Sequence, residues 1–190
     1  MSTTGLVEWA YPIAESLLSE PLPRRWAHSQ GVAERSRSLA PILGADADLM
    51  EAAAVLHDIG YSPDLAKTGF HPLDGARYLR DVAQADGRLV RLVAHHSCAW
   101  MEAEARGMRD ELEEEFPREL PHLADALCYC DMNTTPDGTP TNPVDRVNEI
   151  AGRYGPDSLI GTFIRRAEPE ILASTARVLE RLAAVQRQPM

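Results

Sequence analysis

Apolar positions recur along most of the chain at three- and four-residue steps, and no alternating pattern persists for long, so the sequence predicts a nearly all-α protein. After Pro23, the positions Val32, Ser36, Leu39, Ala40 and Leu43 share a helical face, and Gly44 stops it. A second helix is predicted from about Asp46 to Ile59, ending at Gly60. A loop with Pro63 and Gly69 follows, with a turn of helix over Asp64 to Lys67. A third helix spans about Pro72 to Gln84, with Leu73, Ala76, Leu79 and Val82 on one side. A fourth starts near Asp86 and carries Leu89, Leu92, Val93 and His96. The charged stretch Glu102 to Glu115 reads as a solvated helix or a mobile lid. Beyond Pro117 and Pro121, another apolar helix carries Leu123, Ala124, Leu127 and Asp131. Asn133 to Pro143, rich in Thr, Pro, Asn and Gly, is predicted to be a loop beside the site. Two helices close the chain, roughly Pro143 to Tyr154 and Glu168 to Gln186. No repeat or change of composition divides it, so residues 1–190 read as one domain.

Charge and composition narrow the picture. The formal net charge is −10, with no basic patch, which argues against a nucleic-acid partner. No apolar run reaches the length of a membrane span, and Met1 to Trp9 lacks the features of a secretory signal. The odd cysteine set Cys98, Cys128 and Cys130 fits reduced thiols, and together these features predict a cytoplasmic protein. Nothing in the sequence specifies an oligomeric state.

The candidate chemistry lies in the six histidines. His28 continues the stripe of Val32, Ser36 and Leu39. His57 follows Ala53 by four residues, and His71 precedes Gly75 and Tyr78 at helical spacing. His96 shares a face with Leu89, Leu92 and Val93, whereas His95 falls beside Arg88 and Arg91. Asp131 follows Ala124 and Leu127. A carboxylate on an apolar face is costly unless it is paired or holds a cation. Histidines and aspartates on the inward faces of several helices form a ligand set suited to iron, manganese, cobalt, nickel or zinc. Trp26 and Trp100 are read as aromatic core residues or as part of a pocket wall. Asp64 caps a turn or serves as an acid or base near the site.

The ordered set His28, His57-Asp58 and Asp131 resembles the H…HD…D signature of the HD-domain superfamily of metal-dependent phosphohydrolases. The words RRWAHSQGVAERSRSLA (Arg24 to Ala40), AAAVLHDIGY (Ala52 to Tyr61) and DALCYCDMNT (Asp125 to Thr134) resemble its ligand-bearing helices. FHPLDGARYL (Phe70 to Leu79) and LVAHHS (Leu92 to Ser97) resemble later histidine motifs of the YqeK-like branch, which hydrolyses dinucleoside tetraphosphates. The resemblance covers about residues 24–135 and implies a helical bundle with a metal site in its core, the helices of about 143–187 packing on it. It implies that His28, His57, Asp58 and Asp131 hold one divalent transition metal. His71 and His96, with His95 competing for the latter's place, match positions that bind a second ion in the two-metal branch, with Asp58 bridging, so the resemblance implies one or two ions. It further implies hydrolysis of a small phosphate compound, a nucleotide in class, by an activated water that Asp58 orients or deprotonates. Tyr61 stands where many HD sequences carry a lysine, so a cationic contact for phosphate falls to Arg25, Lys67 or Arg77. The alternatives are a metal-binding regulatory module without turnover and a helical interaction protein with incidental histidines.

Overall fold

The computed structural model describes residues 5–187. Among them are eleven α-helices and no strand; the only β feature is a single bridge between Thr134 and Pro140. In chain order the helices are α1 (Leu6–Leu18), α2 (Pro23–Arg37), α3 (Ala40–Leu43), α4 (Ala47–Leu56), α5 (His71–Asp81), α6 (Gly87–Ala94), α7 (Ala99–Arg106), α8 (Arg109–Glu115), α9 (Pro121–Met132), α10 (Pro143–Tyr154) and α11 (Leu159–Gln186). The fold is all-α. Among the described residues no helix is long and apolar enough to cross a membrane.

Helix α4 is the centre of the bundle. Its residues Ala52 to Leu56 are all buried, as a helix packed on several sides requires. It packs against α1, α2, α6 and α9. The small side chains Ala52, Ala53 and Ala54 let these neighbours approach. Helix α1 was not anticipated from the sequence. Its buried positions Ala10, Ala14, Leu17 and Leu18 follow the helical period, but Pro12 inside it weakens the local signal. The last helix begins at Leu159 rather than Glu168. The sequence reading placed the start just before Pro169, where proline suits a first turn. The observed helix runs through Pro169 because Phe163, Ile164, Ala167 and Ile171 bury one continuous stripe. That burial outweighs the roughly 3 kcal/mol that an interior proline costs.

The stretch Glu102 to Glu115 is neither one solvated helix nor a lid. It divides at Gly107, whose φ of +70° suits glycine, into α7 and α8. Glu102, Ala103, Leu112 and the following Phe116 are all buried. The first predicted helix also divides, into α2 and the short α3, which has Pro41 in its first turn.

The segment after α9 folds back over α2. An added Cβ at Gly31 would lie 2.3 Å from the Gly138 carbonyl oxygen, so these backbones meet only because Gly31 has no side chain. Gly138 itself adopts φ +80°. This contact brings the Thr135 carbonyl onto the His28 ring.

Candidate metal centre

The His57-Asp58 pair lies at the exit of α4, before the 3-10 turn Ile59–Tyr61. Both side chains are buried. Four other segments deliver partners. His28 comes from α2, His71 from the first position of α5, His96 from the turn after α6, and Asp131 from the last turn of α9.

Three of the histidines are oriented alike. His28 Nδ1 donates to the Thr135 carbonyl at 2.9 Å, His57 Nδ1 to Ala54 at 2.6 Å, and His96 Nδ1 to Val93 at 2.7 Å. A carbonyl only accepts, so each Nδ1 carries a proton and each Nε2 is the ring atom turned toward the cluster. Such a bond to the far nitrogen is how metal-binding histidines are fixed. The Nε2 atoms converge. His57 Nε2 is buried and has no hydrogen-bond partner. It lies 3.4 Å from Asp58 Oδ2 and 4.0 Å from Asp131 Oδ1. His28 Nε2 is 3.0 Å from Asp131 Oδ1 and 3.9 Å from Asp58 Oδ2.

The second group faces the other oxygen of Asp58. His71 Nε2 is 3.3 Å and His96 Nε2 3.8 Å from Asp58 Oδ1, and the two nitrogens are 3.1 Å apart. Ligand atoms of His28, His57 and Asp131 lie within 4.8 Å of one another, as do those of His57, Asp58 and His96. An orphaned buried nitrogen among converging imidazoles and carboxylates is what a divalent transition metal requires. The residues present therefore fit such an ion.

Two features hold the frame. Ser97 and Cys98 adopt left-handed backbone at φ +48° and +62°, each costing roughly 1–2 kcal/mol for an L-residue. This turn follows His96 directly, and Ser97 Oγ donates a short hydrogen bond to Asp131 Oδ2. Tyr61 stacks on His71 with ring centroids 3.8 Å apart, and the Arg25 guanidinium lies 3.8 Å from the centre of the same ring. Arg25 reaches Asp58 Oδ2 at 2.7 Å. Tyr61, in place of a lysine, thus helps to seat an arginine beside the aspartate.

Charge follows this geometry. Burial pushes the Asp58 carboxyl up, but Arg25, His57 and His71 outweigh it and hold it well below the usual range. Asp131 is likewise held low, burial being outweighed by His28 and His57. Burial lowers His96, and it pushes His71 down to about 3 despite Asp58 beside it. The metal-free protein should therefore lose stability as pH falls. Below about 6.5 the unfolded chain takes up protons on histidine that the folded site refuses. For His71 alone the loss is on the order of 2 kcal/mol by about pH 5. A melting temperature of chelator-treated protein that stays level or rises from about pH 7 to 5 would contradict this assignment.

Among the other predicted residues, His95 is turned away. Its Nε2 lies 2.5 Å from the Phe116 carbonyl. Lys67 and Arg77 are not brought to the cluster. They line a separate cleft with Asp64, and Arg77 is paired with Glu111 and Glu115. Trp26 packs edge-on against Tyr11, and Trp100 lies under Arg109 and Arg118; neither borders the cluster's cleft.

The cleft contains residues that sequence reasoning passed over: Glu102, Arg146, Arg153 and Tyr154. Burial raises the Glu102 pKa against the pull of Arg106. Signals for two of these residues existed. Glu102 shares a helical face with Ala99 and Ala103, and Arg146 lies on the buried stripe of Pro143 and Val147.

Comparison with known proteins agrees with this architecture. A deoxyguanosinetriphosphate triphosphohydrolase-like protein of Corynebacterium diphtheriae is 29% identical over 161 residues, 78% of this chain and 32% of that protein. A protein of the same description from Corynebacterium efficiens is 30% identical over 162 residues, 79% of this chain and 32% of that protein. Ribonuclease Y of Rubrobacter xylanophilus is 36% identical over 70 residues, 37% of this chain and 14% of that protein. The chain thus spans at most about a third of the length of these relatives. No solved structure gives a significant match. The HD domain family matches residues 25–133, a span that contains all six converging side chains. The chain belongs to the HD domain family.

Proposed function

We propose that the protein is a metal-dependent phosphohydrolase that cleaves an ester or anhydride bond of a nucleotide or related phosphate compound. The observation that carries this reading is the division of labour at Asp58. Its Oδ2 faces His57 and His28, while its Oδ1 faces His71 and His96. One carboxylate placed between two groups of imidazoles suits two ions. His28, His57, Asp58 and Asp131 would hold the first, and His71, His96 and Asp58 would hold the other. Imidazole and carboxylate together favour iron, manganese, cobalt, nickel or zinc. A bound ion of this kind acidifies a water and polarises a phosphoryl oxygen.

The chain's own residues supply the rest. Asp58, held ionised, accepts a hydrogen bond from the water and fixes its direction. Ser97 and His28 orient Asp131 from its two oxygens. Arg25, half-buried beside Asp58, neutralises charge on a phosphoryl group placed there. The names of the corynebacterial relatives point to a nucleotide substrate. The net charge of −10 disfavours a long nucleic acid. Three buried, unbridged cysteines suit a reducing cytoplasm.

The test is phosphate release from nucleoside mono- and triphosphates and dinucleoside polyphosphates. Protein stripped by a chelator is assayed alone and after addition of manganese, iron, cobalt, nickel or zinc, with Asp58→Ala as the blank. At least one ion should restore turnover to the wild type only. Rates equal to the blank with every ion and substrate would sink the enzyme reading.

A further inference from the structure

In a chain of net charge −10, one cleft is strongly basic. It opens beside His28 and is lined by Arg24, Arg25, Arg146 and Arg153, with no carboxylate among its lining residues. Three of these arginines, Arg25, Arg146 and Arg153, also line the cleft that contains Asp58, His71, His96 and Asp131. The two spaces therefore adjoin the same cluster and share one basic wall.

Carboxylates partly balance that wall. Asp137 pairs with Arg24 and Asp58 with Arg25. Arg146 and Arg153 have one carboxylate between them, Glu149, which bonds Arg146 closely and lies 3.4 Å from Arg153 Nε. Two guanidiniums against one carboxylate leave a positive charge facing the cleft. Arg146 is 4% exposed, and its Nε is buried without a partner. An unpaired donor on a buried cation is costly, and such a group calls for a function.

The arginines also have the spacing of a track. They are seven residues apart on α10, so they share one face about 10 Å apart along the helix axis. The space beside the cluster is ≈ 70 Å³, whereas the arginine cleft offers ≈ 280 Å³. The smaller space suits a single phosphoryl group, and the larger one suits something continuing from it. Both arginines lie beyond residue 133, where the family match ends.

We infer that Arg146 and Arg153 are specificity-determining residues that hold the distal phosphates of a substrate carrying a chain of phosphates, such as a nucleoside triphosphate. This rests on the reading of the cluster as the place where the phosphorus–oxygen bond is broken. A lone phosphate is satisfied by the cluster and Arg25. A phosphate chain brings further charge, and the guanidinium forks of Arg146 and Arg153 receive it.

Binding tests this without turnover. Inorganic tripolyphosphate and orthophosphate are titrated calorimetrically into metal-free wild-type protein at about 0.15 M salt, where distant surface charge is screened. Tripolyphosphate should bind at least tenfold more tightly. Arg153→Gln should remove most of that preference and leave orthophosphate unchanged. Because Arg146 is buried and paired with Glu149, the double variant Arg146→Gln/Glu149→Gln is the second arm, with the same expectation. Arg165→Gln, on the exposed side of α11, is the charge control and should change nothing. Equal affinity for the two anions in wild type would overturn the inference, as would an equal loss from the Arg165 control. Failure of the phosphate-release assay with this preference intact would reject the catalytic reading of the cluster and leave the arginine cleft as a polyphosphate-binding site.

Discussion

His57→Ala should leave the protein unable to hold any metal, and phosphate release should fall to the level of the Asp58→Ala blank. His57 contributes the one Nε2 that is fully buried, has no partner and lies between the two aspartates. Loss of a residue that merely orients a ligand costs about 10–100-fold in metal affinity or activity, so loss of the ligand itself should cost more. The ligand-free fold should suffer less, because the substitution also removes a buried nitrogen that carries a desolvation cost of about 1–3 kcal/mol. Metal at 100 times its dissociation constant should stabilise the wild type by about 2.7 kcal/mol and His57→Ala by nothing. His71→Ala is the informative contrast. Within the cluster His71 Nε2 faces Oδ1 of Asp58 and His96, so its loss should halve the metal stoichiometry without abolishing it. A wild type that holds only one ion after full reconstitution would refute the two-ion arrangement.

Gly60→Ala should be the most damaging conservative change outside the ligands. Gly60 follows the His57-Asp58 pair, and the start of α5 presses directly on it. A Cβ at this position would lie 2.0 Å from the His71 carbonyl oxygen and 2.7 Å from the Gly75 nitrogen. These are backbone atoms that cannot swing aside, so α5 must move and carry His71 away from Asp58. Forced overpacking of this kind costs about 3 kcal/mol. In a chain of this size that lowers the melting temperature by about 6–12 °C. Metal stoichiometry should fall with it. Gly152→Ala is the control: nothing lies within 4 Å of its added Cβ, and alanine favours the interior of α10. Thermal melts that are alike for the two variants would contradict this account of how α5 is docked.

Much of the bundle was legible because a buried helix face repeats in the sequence. The exits of α4 and α9, and His96 after α6, could be placed from the apolar residues before them. What escaped had a physical cause each time. Pro12 and Pro169 weaken local helix signals that tertiary burial overrides. The acidic letters between Glu102 and Glu115 concealed that Glu102 and Leu112 face inward. The sequence offers Arg25, Lys67 and Arg77 as cationic contacts. Separating them took the third dimension: Arg25 stacks over Tyr61 beside Asp58, whereas Glu111 and Glu115 hold Arg77 elsewhere. Arg146 and Arg153 lie more than eighty residues from Asp58 in the chain, and no local pattern connects them to it.

The most direct measurement is a titration of chelator-stripped protein with cobalt(II), read by visible absorption and by melting temperature. The account predicts ligand-field bands that saturate at two ions per wild-type chain with a rise in melting temperature, and neither change in His57→Ala. Wild-type protein that gives no bands and no thermal shift would contradict the claim that this buried cluster is a metal site.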